Sequence, residues 1–178
     1  YDSKKLKNLQ SILKSFLDQS FDKWNLVLIS KNSDVVDSSL LTPDTRISLI
    51  PNSDIKSISD KINSLEYDFL GLIDSNVMLS SYSLLEFVKF LKKNPNSDII
   101  YSDHDSIDKN GKRHNPFFKP NWSLITFLSF DYISSLCIVK KDIAQKVLKN
   151  KILNDFSFDF LLHCVNSTNE ITHVPSPL

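Results

Sequence analysis

Polar side chains with oxygen ligands stand directly after an apolar segment of this chain. Asp74 and Asn76 follow the apolar run Tyr67–Ile73, and they offer the carboxylate and amide oxygens that Mg²⁺ and Mn²⁺ prefer. Such a cation often bridges protein carboxylates to the phosphates of a substrate. The same two residues could instead cap the turn that leads into the next helix. The spacing alone leaves both interpretations open.

Two further polar segments occupy equivalent places. Tyr101–Asp105 (YSDHD) follows the predicted strand Asp98–Tyr101, and Ser30–Ser33 follows the apolar run Trp24–Ser30. In open α/β sheets, ligands bind in a crevice beyond the carboxyl ends of the strands. We therefore expect all three segments to border one crevice.

The elements that would position these segments alternate between helix and strand over roughly the first hundred residues. Helical spacing of apolar residues covers 4–19, Asp54–Leu65 and Ser81–Lys93, and Ser83 with Glu86 forms a capping-box pattern in the last of these. Short apolar runs predict strands at Trp24–Ser30, Arg46–Ile50, Tyr67–Ile73 and Asp98–Tyr101. This alternation predicts a mostly parallel sheet between two layers of helices.

The rest of the chain predicts a mixed sheet. Lys109–Lys112 has Asn-Gly at its centre, which is a strong signal for a hairpin. Beyond it we predict a short helix at 123–129, strands at Tyr132–Val139 and Ile171–Val174, and helices at Lys141–Lys149 and Phe158–Asn166. The sequence contains no repeat or linker, so residues 1–178 are predicted to form one domain.

Composition excludes several classes of function. The 21 basic and 21 acidic side chains balance, which argues against a nucleic-acid-binding protein. Two glycines are too few for a Gly-rich phosphate loop, and two cysteines cannot form a disulfide framework or a four-thiolate zinc site. We expect both cysteines to be buried small hydrophobes. The apolar runs are much shorter than the ~20 residues of a membrane span, and the first twenty residues are unlike a signal peptide. We therefore expect a cytoplasmic protein.

The middle of the chain resembles the glycosyltransferases of family 2, in the branch that assembles bacterial polysaccharides and O-antigens. The residues that carry the resemblance are Tyr101–Arg113 (YSDHDSIDKNGKR) and Asn115–Trp122 (NPFFKPNW). They are similar to the branch's pattern YSDED.ID..G.R..P.FKPDW. Weaker similarities follow the family's order at Leu13–Trp24, Leu26–Asp34, Leu128–Ile133, Phe158–His163 and His173–Pro175.

This resemblance implies a GT-A fold with three α/β/α layers. It also implies transfer of a sugar from a nucleotide-diphosphate donor to a hydroxyl of a glycan or lipid-linked acceptor, in surface polysaccharide biosynthesis. The family's first strand and last motif lie outside 1–178, so we expect a fragment of a longer, multidomain chain. We place it in the cytoplasm, with peripheral association at the inner face of the membrane.

The resemblance assigns the donor site to the residues after the first and third predicted strands. Asp74 and Asn76 correspond to the family's metal-binding acidic motif, and His173 to a further metal ligand. The cofactor would be Mn²⁺ or Mg²⁺, held weakly because Asn76 replaces a carboxylate. Ser30 and Lys31 stand where the family has an Asp pair that binds the nucleotide. Asp34 is a nearby substitute for that pair.

The resemblance also assigns catalytic candidates. Ser157 replaces the family's general-base Asp, which leaves Asp159 as the acidic residue of that motif. Asp103 and Asp105 keep an acidic pair near the acceptor, with His104 between them.

A purely structural interpretation stays open for most of these residues. Asp159 could be a solvated charge and His173 a structural residue, and the segment around His104 could form turn hydrogen bonds instead of holding a cation or a sugar hydroxyl. Phe117 and Trp122 could stack on a sugar or pack. Three further side chains could bind phosphate or lie on a solvated hairpin: Lys112, Arg113 and Lys119.

Two alternatives to a glycosyltransferase stay open as well. Changes at positions 30–31, 76 and 157 would suit a catalytically silent GT-A-like domain that binds a glycan or a partner protein. A sugar-nucleotide pyrophosphorylase would share the fold type, but it would need a Gly-rich loop that this sequence lacks.

Overall fold

A computed structural model describes residues 3–29, 44–50, 54–108, 110–150, 153 and 157–178. The helices of this part are α1 (Ser3–Leu17), α2 (Ile55–Ser64), α3 (Ser83–Lys93), α4 (Leu124–Ser129), α5 (Lys141–Asn150) and α6 (Phe158–Val165). The strands are β1 (Leu26–Ile29), β2 (Ile47–Ile50), β3 (Phe69–Ile73), β4 (Ile99–Ile107), β5 (Arg113–Phe117), β6 (Leu136–Lys140) and β7 (Ile171–Pro177).

The strands form one parallel pair and one five-stranded mixed sheet. β1 and β2 pair in parallel. In the larger sheet β6 lies between β3 and β4 and is antiparallel to both. β7 is parallel to β4, and β5 is antiparallel to it. β3, β4 and β7 therefore run in one direction, so their carboxyl ends meet at one edge of the sheet.

β4 is the centre of the fold, because its alternate side chains enter two separate apolar clusters. Ile99 and Tyr101 pack with residues of α5 and α6, including Val147 and Phe160. Ile100 points the other way and packs with residues of α1 and α3. Successive side chains of a strand point to opposite faces of the sheet, so helices cover both faces of the sheet at β4. The predicted three-layer α/β/α arrangement is confirmed.

Most predicted elements are confirmed within one or two residues, including the hairpin. Gly111 in the turn between β4 and β5 has a φ of 81°, a conformation that glycine adopts without strain. Asp108 Oδ1 accepts hydrogen bonds from the backbone N–H groups of Asn110 and Lys112. Lys109 lies outside the described residues.

The sequence prediction was wrong at three strand boundaries and at one helix cap. β7 continues to Pro177, beyond its predicted end at Val174. β4 continues to Ile107, so the YSDHD segment lies within a strand and does not follow it. β6 begins at Leu136, not at Tyr132. α3 has Tyr82 as its N-cap, without a side-chain capping bond, and the Ser83 hydroxyl is buried in its first turn with no hydrogen-bond partner among the described residues. The predicted capping box therefore does not form.

No helix among the described residues combines the length and the apolar character that crossing a membrane would need. The organisation of residues 1–178 as one domain stays a prediction.

Candidate functional site

The turn after β3, residues 74–76, forms at the carboxyl edge of the sheet, and we call it the β3 turn. Asp74 Oδ1 accepts hydrogen bonds from the backbone N of Asn76 at 2.8 Å and from Asn76 Nδ2 at 3.0 Å. Both side chains are exposed. The capping interpretation thus describes the local geometry, yet hydrogen bonds from the described residues reach only one carboxylate oxygen of Asp74.

His173 and Asp103 meet in the interior of the sheet. His173 Nε2 lies 2.7 Å from Asp103 Oδ1, and its ring stacks on Tyr101 with centroids 5.0 Å apart. The same Asp103 oxygen accepts a hydrogen bond from the backbone N of Lys119 at 2.8 Å. The parallel register of β7 on β4 brings His173 opposite Tyr101 and so explains the meeting. We call Asp103, Lys119 and His173 the β4 network.

This pairing joins two residues that the sequence assigned to different roles, one as a metal ligand and one as a catalytic acid. Asp103 is 2% exposed and fully hydrogen-bonded at one oxygen. Within the described part of the chain, no group of three or more His, Cys, Asp or Glu side chains is arranged to hold a metal ion. The geometry gives His173 a bond to Asp103, and its predicted role as a metal ligand stays a prediction.

Asp105 is held by Arg113 across the hairpin. Arg113 Nε donates to Asp105 Oδ2 at 2.5 Å, while the other guanidinium nitrogens donate to Ser80 Oγ and to the carbonyl of Pro177. The hydrogen bond to Asp105 raises the pKa of Arg113. Arg113 therefore connects the hairpin to Ser80, which precedes α3, and to the end of β7. It is neither a solvated charge nor a side chain free to bind phosphate.

Asp159 lies in the first turn of α6, where its Oδ1 is 3.7 Å from His163 Nε2. Its role as a general base stays a prediction. Three predicted nucleotide-binding residues, Ser30, Lys31 and Asp34, lie outside the described residues.

Lys119 is the residue that sequence reasoning placed least well. It was predicted to bind phosphate or to lie on a solvated hairpin, but it is only 5% exposed. Its Nζ donates to Ser135 Oγ at 3.2 Å, and burial lowers its pKa to about 8. Lys119 follows Phe117 and Phe118 and precedes Pro120, and this local sequence does not fix whether the lysine side chain is buried. The only sequence signal was its place within the best-matched stretch.

A cavity of about 290 Å³ opens beside the carboxyl end of β3. Its lining residues are His104, Phe117, Phe130, Asp131, Tyr132 and Ser135. The Ser135 carbonyl accepts a hydrogen bond from the backbone N of Asp74 at 3.3 Å, so one lining residue of the cavity is bonded to the β3 turn. Phe117 therefore lines a cavity, whereas Trp122 packs against Phe127 and Tyr132. A second cavity, of about 330 Å³, lies at the amino end of β3 between Glu66 and Lys141.

Both cysteines are buried and free, as predicted. Burial raises the pKa of the Cys137 thiol to about 12 and raises that of Cys164 as well. Neither thiol is suited to act as a nucleophile, because the reactive form is the thiolate.

No protein-family model matches the chain. It is 30% identical over 113 residues to the O-antigen biosynthesis protein RfbC of Myxococcus xanthus, a match that covers 62% of this chain and 9% of that protein. It is 25% identical over 183 residues to the uncharacterized protein y4gI of Sinorhizobium fredii, covering 96% of this chain and 20% of that protein. The chain thus spans a small part of the length of both relatives.

Among solved structures, the bifunctional IspDF of Campylobacter jejuni is similar to the chain, with a TM-score of 0.53 and 16% identity. The similarity covers 97% of this chain and 42% of that one. At this identity the comparison concerns the fold alone, and it agrees with the predicted GT-A-like α/β/α architecture. The chain therefore has a GT-A-like fold and is distantly related in sequence to an O-antigen biosynthesis protein.

Proposed function

We propose that this chain is a glycosyltransferase domain of family 2. It would move a sugar from a nucleotide-diphosphate donor to a hydroxyl of a glycan or lipid-linked acceptor during the assembly of surface polysaccharide. The observation that carries the proposal is the 30% identity over 113 residues to an O-antigen biosynthesis protein. The GT-A-like fold and the exposed β3 turn beside a cavity support it.

The β3 turn fits a divalent cation that is shared with a substrate. Asp74 supplies one exposed carboxylate, and Asn76 supplies an amide oxygen two residues on. This donor set suits Mn²⁺ or Mg²⁺, but its single negative charge suits a cation that also binds phosphate oxygens. When bound, the cation would neutralise the diphosphate leaving group as a Lewis acid. Asp74 would hold the cation in place. Three further residues would bind the nucleotide: Ser30, Lys31 and Asp34.

Asp159 is the proposed general base on the acceptor hydroxyl. Asp103 and Asp105 are the other acidic candidates, but the first is buried in the β4 network and the second is paired with Arg113. Asp159 also has a neighbour, His163, whose Nε2 is 3.7 Å from its Oδ1, so we propose Asp159 because it is the acidic residue of the matching motif and not because it lacks a partner. A base needs a carboxylate that can come within hydrogen-bond reach of the acceptor hydroxyl.

The acceptor would approach over α4. This short helix carries exposed apolar side chains, and Ile125 is 80% exposed. Phe130, just after the helix, is also exposed and lines the cavity beside the β3 turn. An apolar surface that continues into a cavity suits an acceptor on a lipid carrier and peripheral contact with the inner face of the membrane.

The test is donor binding by the complete gene product. UDP-, GDP- and dTDP-sugars are titrated by calorimetry with and without Mn²⁺, and we expect micromolar binding of one donor that depends on the metal. Asp74→Ala should abolish the dependence on Mn²⁺. Asp60→Ala, which removes an exposed carboxylate from α2, is the matched control and should bind like the wild type.

Two other results would point elsewhere. If the folded protein binds no donor with or without Mn²⁺, it is a silent GT-A-like domain and the proposed activity is wrong. If it converts a nucleoside triphosphate and a sugar 1-phosphate into a nucleotide sugar and pyrophosphate, it is a pyrophosphorylase.

A further inference from the structure

The proposed glycosyltransferase reaction assigns no role to Ser135, a residue that stands just before β6. Its side chain lines the cavity of about 290 Å³ beside the β3 turn, together with His104. The hydroxyl has one neighbour that can take up a proton and another that carries a positive charge. A hydroxyl within reach of a base is the arrangement that turns serine into a nucleophile.

The Ser135 hydroxyl lies between Lys119 and His104. Lys119 Nζ donates to Ser135 Oγ at 3.2 Å, because an ammonium group has donors only. The proton of the Ser135 hydroxyl is then available for His104 Nδ1, which lies 3.4 Å from Oγ. Hydrogen bonds between a nucleophile and its base are often this long in a free enzyme, and they tighten when the substrate binds.

His104 is held as a neutral base. Burial and the positive charge of Lys119 both lower the pKa of His104, so its ring is uncharged at neutral pH. The carboxylates of Asp105 and Asp103 act in the opposite direction, and they would stabilise the imidazolium that forms when the ring takes up a proton. The ring is packed against Phe117, with centroids 5.2 Å apart, and this contact orients it.

Lys119 supplies a fixed positive charge beside Ser135 Oγ. The lysine is only 5% exposed, and a hydrogen bond from its backbone N to Asp103 Oδ1 anchors it. Its pKa of about 8 leaves the amine mostly protonated at pH 7. A buried ammonium group favours the negative charge that develops when the neighbouring hydroxyl loses its proton.

The cavity gives a small molecule access to Ser135. Its volume is near the lower end of the range of small-ligand pockets, ~300–1,000 Å³, and the side chain of Ser135 is half-buried at its wall. Phe117 and Phe130 form an apolar part of the lining. A short acyl chain would pack on these rings with its carbonyl carbon near Oγ.

We propose that Ser135 is the nucleophile of an acyl-transfer site that takes esters of short-chain carboxylic acids. His104 Nδ1 takes the hydroxyl proton while Oγ attacks the carbonyl carbon of the ester. The bond between this carbon and the alcohol oxygen then breaks, and the alcohol leaves with the proton from His104. The acyl group stays on Oγ until water attacks it, again with His104 as the base. This step releases a carboxylic acid and returns the proton to Ser135.

Covalent labelling of the complete gene product tests this proposal. The probes are a fluorophosphonate, which phosphonylates activated serines, and p-nitrophenyl acetate, whose acetyl group would move to Oγ. Peptide mass spectrometry should locate both labels on Ser135. Release of p-nitrophenolate should begin with a burst of about one equivalent, which is the kinetic sign of an acyl-enzyme. Ser135→Ala should abolish the labels and the burst.

Variants of the two neighbours show whether the hydroxyl is activated or only accessible. His104→Ala and Lys119→Met should each slow the labelling about 100-fold, the lower end of the effects of a general base and of a charge-stabilising donor. The matched controls are His114→Ala and Lys112→Met, at exposed positions of the hairpin, and Ser129→Ala, at an exposed position of α4. All three should be labelled at the rate of the wild type.

Ser135→Cys keeps the proposal testable if a variant of His104 or Lys119 does not fold. Beside a base and a cation, the new thiol should react with iodoacetamide about tenfold faster than an unperturbed cysteine at pH 7. Cys137 and Cys164 are buried and should stay unmodified in the same sample. A rate no faster than that of an unperturbed cysteine would overturn the proposal.

Two other results would overturn the nucleophilic role of Ser135. One is a folded wild-type protein that carries neither label on this residue. The other is labelling at the wild-type rate in folded His104→Ala and Lys119→Met, which would mean that the serine is only accessible. Calorimetric donor binding reports separately on the proposed glycosyltransferase function, on which this activity does not depend.

Discussion

The β3 turn and the β4 network both contain an aspartate near the same edge of the sheet, but the fold uses the two aspartates differently. Asp74 makes its side-chain hydrogen bonds within its own turn and is exposed. Asp103 is buried and joins residues 16 and 70 positions away in the sequence. A buried carboxylate with distant partners holds elements together, whereas an exposed one remains available to a ligand. Substitution of Asp103 should therefore lower the stability of the fold, whereas substitution of Asp74 should weaken ligand binding.

The largest expected effect is on stability in the β4 network. Asp103→Ala leaves a buried backbone N–H at Lys119 and the His173 ring without their acceptor, so it should cost about 3 kcal/mol of the free energy of unfolding. Urea denaturation measures this. Asp105→Ala removes a carboxylate of a hairpin ion pair and should cost less than about 1 kcal/mol. Equal losses in the two variants would contradict the expectation that the buried β4 network stabilises the fold more than the hairpin ion pair does.

The second prediction concerns the charge of Lys119. Its pKa in the folded protein is about 8, lowered by burial from 10.5. The charged side chain therefore destabilises the fold below pH 8, and this penalty disappears as the pH rises from 8 to 10.5. Lys119→Met should raise the free energy of unfolding at pH 7 by about 2 kcal/mol, after allowing for the lost bond to Ser135.

The measurement is the difference in unfolding free energy between Lys119→Met and wild type across this pH range. The difference should shrink toward zero or below by pH 10.5. Lys112→Met, at an exposed position on the hairpin, should show no such trend. A constant difference for Lys119→Met would mean that the pKa of Lys119 is the same in the folded and the unfolded protein, so that burial does not lower it.

The third prediction concerns the metal affinity of the β3 turn. Asn76→Asp adds a second carboxylate next to Asp74, so Mn²⁺ should bind about tenfold more tightly in the presence of a nucleotide diphosphate. Calorimetric titration with Mn²⁺ tests this. Asn110→Asp adds the same charge to the exposed hairpin and should leave the affinity unchanged. An unchanged affinity in Asn76→Asp would mean that the turn does not face the cation.

The smallest expected effect is on the stability of the β3 turn. Asp74→Ala breaks only hydrogen bonds within an exposed turn, so the free energy of unfolding should change by less than about 0.5 kcal/mol. Thermal and urea unfolding would show this. A loss comparable to that of Asp103→Ala would place Asp74 among the structural residues and weaken its proposed role with the cation.

The order and type of the elements could be predicted from the sequence, because apolar periodicity reports directly which face of an element is buried. α2 and α5, for example, lie within about a residue of the predicted bounds. β4 was predicted too short, since its polar residues from Ser102 onward look like a loop. Hydrogen bonds from distant residues satisfy Asp103 within the strand, and no local pattern reveals them.

The candidate site was predictable only in part. The position of Asp74 at a strand end, next to a cavity, follows from the pattern of β3 and from the general geometry of α/β sheets. The relation of Lys119 to Ser135 and His104 does not follow from either, because these residues lie on separate elements that only the sheet order brings together.

The sequence by itself determined the alternation of helices and strands, the three-layer α/β class of the fold and the strand ends that carry polar residues, because burial periodicity and turn residues are local properties. Only the tertiary structure decided which polar residues are buried. An aspartate or lysine side chain is chemically the same at every position of the chain. Its environment is set by the register of β7 on β4 and by the position of β6 between β3 and β4. That environment separates the exposed Asp74 from the buried Asp103 and Lys119.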